Sequence, residues 1–240
     1  MQIAIIGYGK MGREIEKHAR NAGIDVAAII DNAQDWQSQS DNLAKADVAI
    51  EFTSPSTVQD NVFRLLDMGL PVVTGTTGWH DKLQIFVNHC RERNGSFFYA
   101  SNFSIGVNLF FALNRHLSSL MAAYPEYKIW VEETHHLQKL DAPSGTAVTL
   151  LEDIQAQRSD KTGWVLTESQ ETEPEKIPVT AHREEGVTGT HVVHYQSAID
   201  SLSIRHEAYN REGFARGALM AAQWLPGKQG VYTMRDLLNL

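Results

Sequence analysis

The 240-residue sequence contains a single cysteine, Cys90. With no second cysteine in the chain, an internal disulfide framework and a multi-cysteine zinc site are both excluded, and a reducing compartment fits. No apolar run approaches the roughly 18–20 residues of a membrane span. Met1–Gly7 lacks the basic and long apolar segments of a signal peptide, so a cytoplasmic protein with no membrane partner is expected. Positive charge is scarce: 21 Lys and Arg stand against 29 Asp and Glu, a formal net charge of −8. That excludes general nucleic-acid binding, which needs an excess of Lys and Arg. A small anionic ligand stays compatible, because a local cluster can be basic on an acidic protein. Internal repeats and low-complexity tracts are also missing. Apolar residues are plentiful at 42%, which gives the chain a real core and excludes wholesale disorder.

The chain reads in three stretches. Residues 1–104 alternate short apolar runs with helical patterns. Ile3–Ile6, Val26–Ile30, Val48–Phe52, Pro71–Thr74 and Ser96–Ala100 are strand candidates, the first four nearly continuous apolar runs as in parallel strands buried on both faces. Met11–Ala22 and Val58–Met68 carry helical stripes between them. Strand–helix alternation predicts a doubly wound parallel sheet. Residues 105–210 differ. A long helix is predicted from Gly106 to Met121, burying Leu109, Phe110, Leu113, Leu117 and Leu120. Lys128–Thr134, Val179–Arg183, Thr190–Gln196 and Ser201–His206 have strand character, with a helix near Thr146–Gln157, which suggests an α+β domain. Asp160–Pro178 is polar and reads as a surface loop. Residues 211–240 return to a helix, Arg211–Leu225, and a short element at Tyr232–Leu240.

Gly7-Tyr8-Gly9-Lys10-Met11-Gly12 matches GxGxxG between the first strand and the first helix, the context of a dinucleotide site. Gly7 permits the tight turn, Gly9 lets a diphosphate approach the backbone, and Gly12 lets the helix pack closely. The helix start offers N–H groups to the phosphates. Asp31 ends the second strand, where an acidic residue accepts hydrogen bonds from the adenine ribose and favours NADH over NADPH. A turn cap is its ordinary alternative, and Lys10 keeps NADPH open. Gly75-Thr76-Thr77-Gly78 follows the fourth strand, at the sheet edge where such folds bind ligands.

The stretch from Glu133 to Ala147 concentrates chemistry. His135 and His136 are adjacent, and Lys139 follows three residues later. On a continuing strand the two histidines would face opposite sides, so both serve one site only if the strand ends there; plain strand residues are the alternative. Ser144-Gly145-Thr146 opens the next helix, an anion site suited to a carboxylate or phosphate. A metal centre is not expected, because the pair lacks a third ligand nearby. Arg183 reads either as an anion contact or as a surface charge near a hairpin.

The run from His135 through Ala147 resembles the HHxxKxDAPSGTA motif of the dihydrodipicolinate reductase (4-hydroxy-tetrahydrodipicolinate reductase) family. Gly75–Gly78, Ala100–Asn108, Arg183–His191 and Tyr232–Leu238 resemble further motifs of that family, in order. The resemblance covers nearly the whole chain and implies a Rossmann-type parallel-sheet domain, residues 1–104 with 211–240. It also implies a substrate-binding and oligomerisation domain with an open mixed sheet, residues 105–210, assembling a homotetramer. The implied reaction is the NAD(P)H-dependent reduction of a small cyclic dicarboxylate in diaminopimelate and lysine biosynthesis. Implied cofactor contacts come from Gly7 through Gly12, Asp31, Gly75, Thr76, Thr77, Ala100, Ser101, Asn102 and Phe103. Implied substrate contacts come from His136, Lys139, Ser144, Gly145 and Thr146. His135 takes the place of the family's acid/base residue and Lys139 that of its proton donor. The glycine loop is one residue shorter than the family's common GxGGxMG form, and no Arg follows Asp31 as it does in dual-cofactor members. Two other readings share these features in part: another nicotinamide-dependent amino-acid dehydrogenase, and a non-catalytic dinucleotide sensor.

Overall fold

A computed structural model describes residues 1–168 and 173–240. The chain divides into two compact units, Met1–Ile105 with Glu212–Leu240, and Gly106–Arg211. In chain order the first unit begins β1 (Gln2–Ile6), α1 (Lys10–Asn21), β2 (Asp25–Ile30), α2 (Asp35–Ser38), α3 (Ser40–Leu43) and β3 (Val48–Glu51). It continues with α4 (Val58–Asp67), β4 (Val72–Thr74), α5 (Leu83–Glu92) and β5 (Ser96–Tyr99). The second unit holds α6 (Ile105–Met121, from the boundary), β6 (Lys128–His135), α7 (Gly145–Gln155), β7 (Gly163–Leu166), β8 (Lys176–Arg183), β9 (Gly189–Gln196) and β10 (Ser201–Ala208). The chain then returns to the first unit with α8 (Glu212–Trp224), β11 (Gly230–Tyr232) and α9 (Met234–Leu238).

The first sheet has the order β11-β5-β4-β3-β1-β2, and its pairings are all parallel. Its central strands are buried on both faces: Ile3 through Ile6 and Val48 through Ile50 are 1% exposed or less. That is why they read as unbroken apolar runs. One face packs against Ile15 and Ala19 of α1 and the alanines of α8; the other packs against Val58, Val62 and Leu65 of α4 and Phe86 of α5. The strand order reverses between β1 and β3, so a crevice opens at the carboxyl ends there.

The second sheet has the order β10-β9-β6-β8-β7, with β6–β8 and β7–β8 parallel and β6–β9 and β9–β10 antiparallel. Ile129 and Val131 of β6, Val179 of β8, and Val193 and Tyr195 of β9 form one core with α6 and α7. Alternation then fixes which side chains share that face.

Two expectations differ from the structure. Helix α6 buries Val107, Phe110, Phe111, Asn114, Ser118 and Met121, whereas Leu109, Leu113 and Leu120 are 45%, 58% and 55% exposed. The helix carries two apolar stripes, and the aromatic one fills the core. The Asp160–Pro178 segment is not a continuous loop, because β7 and the start of β8 fall within it. Pairing with β8 outweighs the polar local composition, and Pro178 lies one residue before the β6 pairing begins at Val179, so its missing N–H breaks no β6 ladder bond. The rest of that predicted loop, residues 169–172, lies outside the described residues. Helices α2, α3 and α5 and strand β11 had no counterpart in the sequence reading. Among the described residues no helix is long and apolar enough to cross a membrane.

Candidate active site

In the first unit, the glycine loop closes the β1–α1 turn. Gly7 sits at φ +90°, and a Cβ there would lie 2.1 Å from the Phe52 carbonyl oxygen. A Cβ on Gly12 would lie 2.2 Å from the Gly7 oxygen. Both positions therefore require glycine for the fold itself. Gly9 differs: a Cβ there would meet nothing within 4 Å. Gly9 is the N-cap of α1 and supplies no side-chain cap, so the open space faces uncapped backbone N–H groups, as a phosphate cradle requires.

Gly7, Gly9, Asp31, Trp36, Thr53 and Asn61 are among the residues lining a cavity of ≈ 550 Å³ at this crevice. Tyr8 and Ile30 also line it, whereas Lys10, Met11, Gly12, Gly75–Thr77 and Ala100–Phe103 do not. Asp31 Oδ1 accepts the Tyr8 N–H at 2.7 Å, which ties the glycine loop to the end of β2. The Asp35 carboxylate accepts the N–H groups of Asp31 and Asn32 at 2.9 and 3.1 Å and so fixes the turn after β2.

The Gly75–Thr77 loop is held from below. Glu51, fully buried at the end of β3, accepts hydrogen bonds from the hydroxyls of Thr53, Thr74 and Thr76. Burial pushes its carboxyl up, opposed by these donors. Thr76 Oγ1 also accepts the Thr53 N–H at 2.8 Å. A Cβ at Gly75 would lie 2.1 Å from the Phe52 ring. Phe103 is 2% exposed and packs in the core against Phe52 and Phe98, so its side chain faces protein.

In the second unit, strand β6 ends at His135, and His136 follows outside it. Sheet register brings the polar groups together: His135 pairs with Arg183, and Glu133 pairs with His191. Directly opposed residues project to one face, here the face of Ile129 and Val131 that α7 covers. Glu133 is 1% exposed, His191 5% and His135 7%. Glu133 Oε2 accepts the Ser144 N–H at 2.9 Å. Ser144 Oγ accepts the Ala147 N–H at 3.2 Å, capping α7, and lies 3.0 Å from His191 Nε2. Ser144 thus spends its own polar groups inside the protein, and the exposed start of α7 is at Gly145 and Thr146.

Glu133 Oε1 faces His135 Nδ1 at 3.8 Å and Arg183 Nη1 at 3.6 Å. A Cβ at Gly189 would lie 3.2 Å from His135 Nε2, so a larger residue would crowd the ring. Burial lowers the His135 imidazole, Glu133 opposes this, and Lys139 and Arg183 add to it. Burial likewise pushes His191 down to about 3, with His135, His206 and Lys139 contributing, so its ring is neutral at neutral pH. The ligand atoms of Glu133, His135 and His191 lie within 4.8 Å of one another. Register thus brings His191, not the adjacent His136, beside His135 and Glu133, with the Arg183 guanidinium next to them.

Lys139 Nζ donates to both oxygens of Asp141 at 2.8 Å. Arg183 is not a free surface charge: its Nε and Nη2 donate to the carbonyls of Lys139 and Asp141 at 3.1 and 2.7 Å, and its Nη1 lies 3.6 Å from Glu133 Oε1. It straps the loop that carries Lys139. The sequence reading missed Glu51, Trp36, Thr53, Asn61, Glu133 and His191. For Glu133 a signal existed, since alternation puts it on the apolar face of Ile129 and Val131, where an unpartnered carboxylate is costly.

A parallel sheet with a glycine-loop crevice, and a second unit with a buried carboxylate–histidine cluster beside a helix start, define the class as a Rossmann-type oxidoreductase. Residues 1–103 match the family described as Dihydrodipicolinate reductase, N-terminus, and residues 106–238 the one described as Dihydrodipicolinate reductase, C-terminus. The chain belongs to the dihydrodipicolinate reductase family. It is 44% identical over 239 residues to 4-hydroxy-tetrahydrodipicolinate reductase of Christiangramia forsetii, covering 100% of this chain and 98% of that protein. The enzyme of that name from Clostridium novyi is 32% identical, with 96% and 95% covered. The dipicolinate-bound dihydrodipicolinate reductase of Paenisporosarcina sp. TG-14 aligns over 98% of both chains with a TM-score of 0.76 and 27% identity. An engineered D-amino acid dehydrogenase bound to NADP+ shares only the fold, at 14% identity and a TM-score of 0.56.

Proposed function

We propose that this chain reduces 4-hydroxy-tetrahydrodipicolinate to tetrahydrodipicolinate in diaminopimelate and lysine biosynthesis, with His135 and Lys139 as the proton-handling groups. The observation that carries this reading is the His135–Glu133–Arg183 cluster, set by strand register beside the start of α7 in a chain that matches the reductase family from end to end. The unit comprising 1–104 and 211–240 takes the cofactor, and 105–210 takes the substrate.

The open space at Gly9 and the cavity lined by Asp31 fit a dinucleotide. The bound nicotinamide supplies the hydride. Gly7 through Gly12 cradle the diphosphate. Gly75, Thr76, Thr77 and Ala100 through Phe103 hold the nicotinamide half through backbone groups, with Glu51 setting the first of these loops. Asp31 accepts the ribose hydroxyls, so NADH is the preferred cofactor and NADPH the weaker one.

On the substrate side, the first N–H groups of α7, at Gly145 and Thr146, hold one carboxylate, with Ser144 as the cap that aims them and His136 closing over it. The substrate loses its hydroxyl as water; one hydride and one proton then complete the reduction. Reduction would place negative charge on the conjugated ring-nitrogen system. Lys139 or the His135 imidazolium neutralises it and delivers the proton. Lys139 starts paired with Asp141, so the substrate carboxylate exchanges places with that partner. Dipicolinate, a cyclic dicarboxylate, is what the solved relative holds, which supports this substrate class.

The sheet face away from α6 and α7 carries Trp130 stacked on His194, with Glu132 beside them. Val165 of β7, paired with Pro178 on this face, is 37% exposed. We assign this face to assembly of a homotetramer acting in the cytoplasm. The test of the reaction is an assay in which a synthase makes the unstable substrate from pyruvate and aspartate semialdehyde. Oxidation of NADH, faster than that of NADPH and dependent on the synthase, is expected. Equal or reversed cofactor rates would refute the role given to Asp31.

A further inference from the structure

The second unit buries a carboxylate that the reaction above does not use. Glu133 reaches four groups from four different elements: Ser144 N–H at the start of α7, Arg183 from β8, His191 from β9, and His135 at the end of its own strand. Only the Ser144 N–H is at full hydrogen-bond distance. Glu133 Oε1 and His135 Nδ1 are both buried, neither has a hydrogen-bond partner among the described residues, and they face each other at 3.8 Å. Buried polar atoms are costly to leave unpaired. Catalytic hydrogen bonds are commonly long before substrate binds and tighten in the complex.

We propose that Glu133 is the positioning residue of this site: one carboxylate oxygen anchors the start of α7 through Ser144, and the other holds the proton on His135 Nδ1. The inference rests on the role given to His135 above. With Nδ1–H committed to Glu133, Nε2 becomes the nitrogen that gains and gives the exchangeable proton. Glu133 also stabilises the imidazolium that forms when Nε2 is protonated. The other charged groups facing the ring work against it: Arg183 and Lys139 oppose the imidazolium, while Asp141 adds a weaker favourable charge. His191 is neutral and passes its contact to Ser144 rather than to His135. One carboxylate therefore couples substrate anchoring at α7 to proton delivery at His135.

The test is Glu133→Gln, which keeps an oxygen for the Ser144 N–H while removing the charge. A nearby opposite charge shifts a titration by about one to three pH units. The descending limb of the kcat–pH profile should therefore move to lower pH by about one unit or more, with kcat near neutrality falling about tenfold. KM for NADH should be unchanged, and Glu133→Asp should restore part of the shift. A profile identical to that of the unsubstituted enzyme, with only thermal stability lost, would overturn the proposal. Histidine-nitrogen NMR supplies a second readout on the unsubstituted protein, with His135 assigned by its absence in His135→Gln. The Nδ1–H tautomer is expected, and the Nε2–H tautomer would overturn the proposal even if the Gln variant failed to fold. Wild-type turnover by His135→Gln would instead refute the reaction role of His135, a failure that the tautomer measurement separates from this one.

Discussion

Ser144 joins the helix cap, the buried histidine and Glu133, so Ser144→Ala is a sharp perturbation. The residue is 3% exposed. Its hydroxyl accepts the Ala147 N–H at 3.2 Å and meets His191 Nε2 at 3.0 Å. Alanine preserves the backbone N–H that Glu133 accepts and removes only the hydroxyl. Losing an N-cap oxygen costs about 1 kcal/mol. Leaving a buried imidazole nitrogen without its partner costs about 1–2 kcal/mol more. The total, about 2–3 kcal/mol, corresponds to a Tm lower by about 4–12 °C for a chain of this size. Frayed N–H groups at Gly145 and Thr146 should also raise KM for the dicarboxylate more than they lower kcat. Thermal unfolding and steady-state kinetics on the purified variant read both effects. A Tm equal to that of the unsubstituted protein would show that the Ser144–His191 contact carries no weight. An unchanged substrate KM would show that the start of α7 is not the carboxylate site.

Other perturbations separate the remaining parts. Gly12→Ala places a Cβ 2.2 Å from the Gly7 oxygen, so it should abolish NADH binding, measured by calorimetric titration; near-normal affinity would contradict the close packing of α1. His135→Gln should lower kcat far more than it weakens NADH binding, and a loss confined to cofactor affinity would remove the acid role. Asp160 is held at about 2, below its ordinary 3.8, chiefly by hydrogen bonds from Arg158, a residue only 2% exposed. Because the folded-state value is depressed, this contribution is present above about pH 4 and fades as pH falls toward 2. Asp160→Asn should therefore lower Tm at pH 7, with the difference closing in acid; a pH-independent difference would refute the linkage.

The first unit was legible in sequence because its information is local. The parallel strands are short apolar runs, and Gly7–Gly12 sits where β1 meets α1. The short helices α2 and α3 were not legible, since four-residue turns carry no periodicity. The second unit was legible as elements but less so as packing. Helix α6 offers a leucine stripe and an aromatic stripe of similar apolarity, and only the sheet beneath decides between them. Its edge strand β7 is fixed by pairing with β8 rather than by its own composition. The site divides in the same way. His135, His136, Lys139 and the Ser144 cap lie in one contiguous run. Glu133 shares the His135 face by alternation along β6, whereas His191 joins through register across β6 and β9, and Arg183 turns from a surface charge into a loop strap through β8. Pairings of that kind are tertiary facts that spacing along one strand cannot supply.

If Lys139 handles the proton of the reduction, removing its ammonium slows turnover and leaves cofactor binding intact. Placed acid catalysis contributes about 10²–10⁴-fold. The most direct measurement follows NADH absorbance with synthase-generated substrate for the unsubstituted enzyme and for Lys139→Ala, alongside NADH affinity for each. Synthase-dependent oxidation should fall at least about 100-fold in the variant, with NADH affinity retained. NADH binding without oxidation by the unsubstituted enzyme would contradict the reductase assignment, and equal turnover by Lys139→Ala would contradict the mechanism.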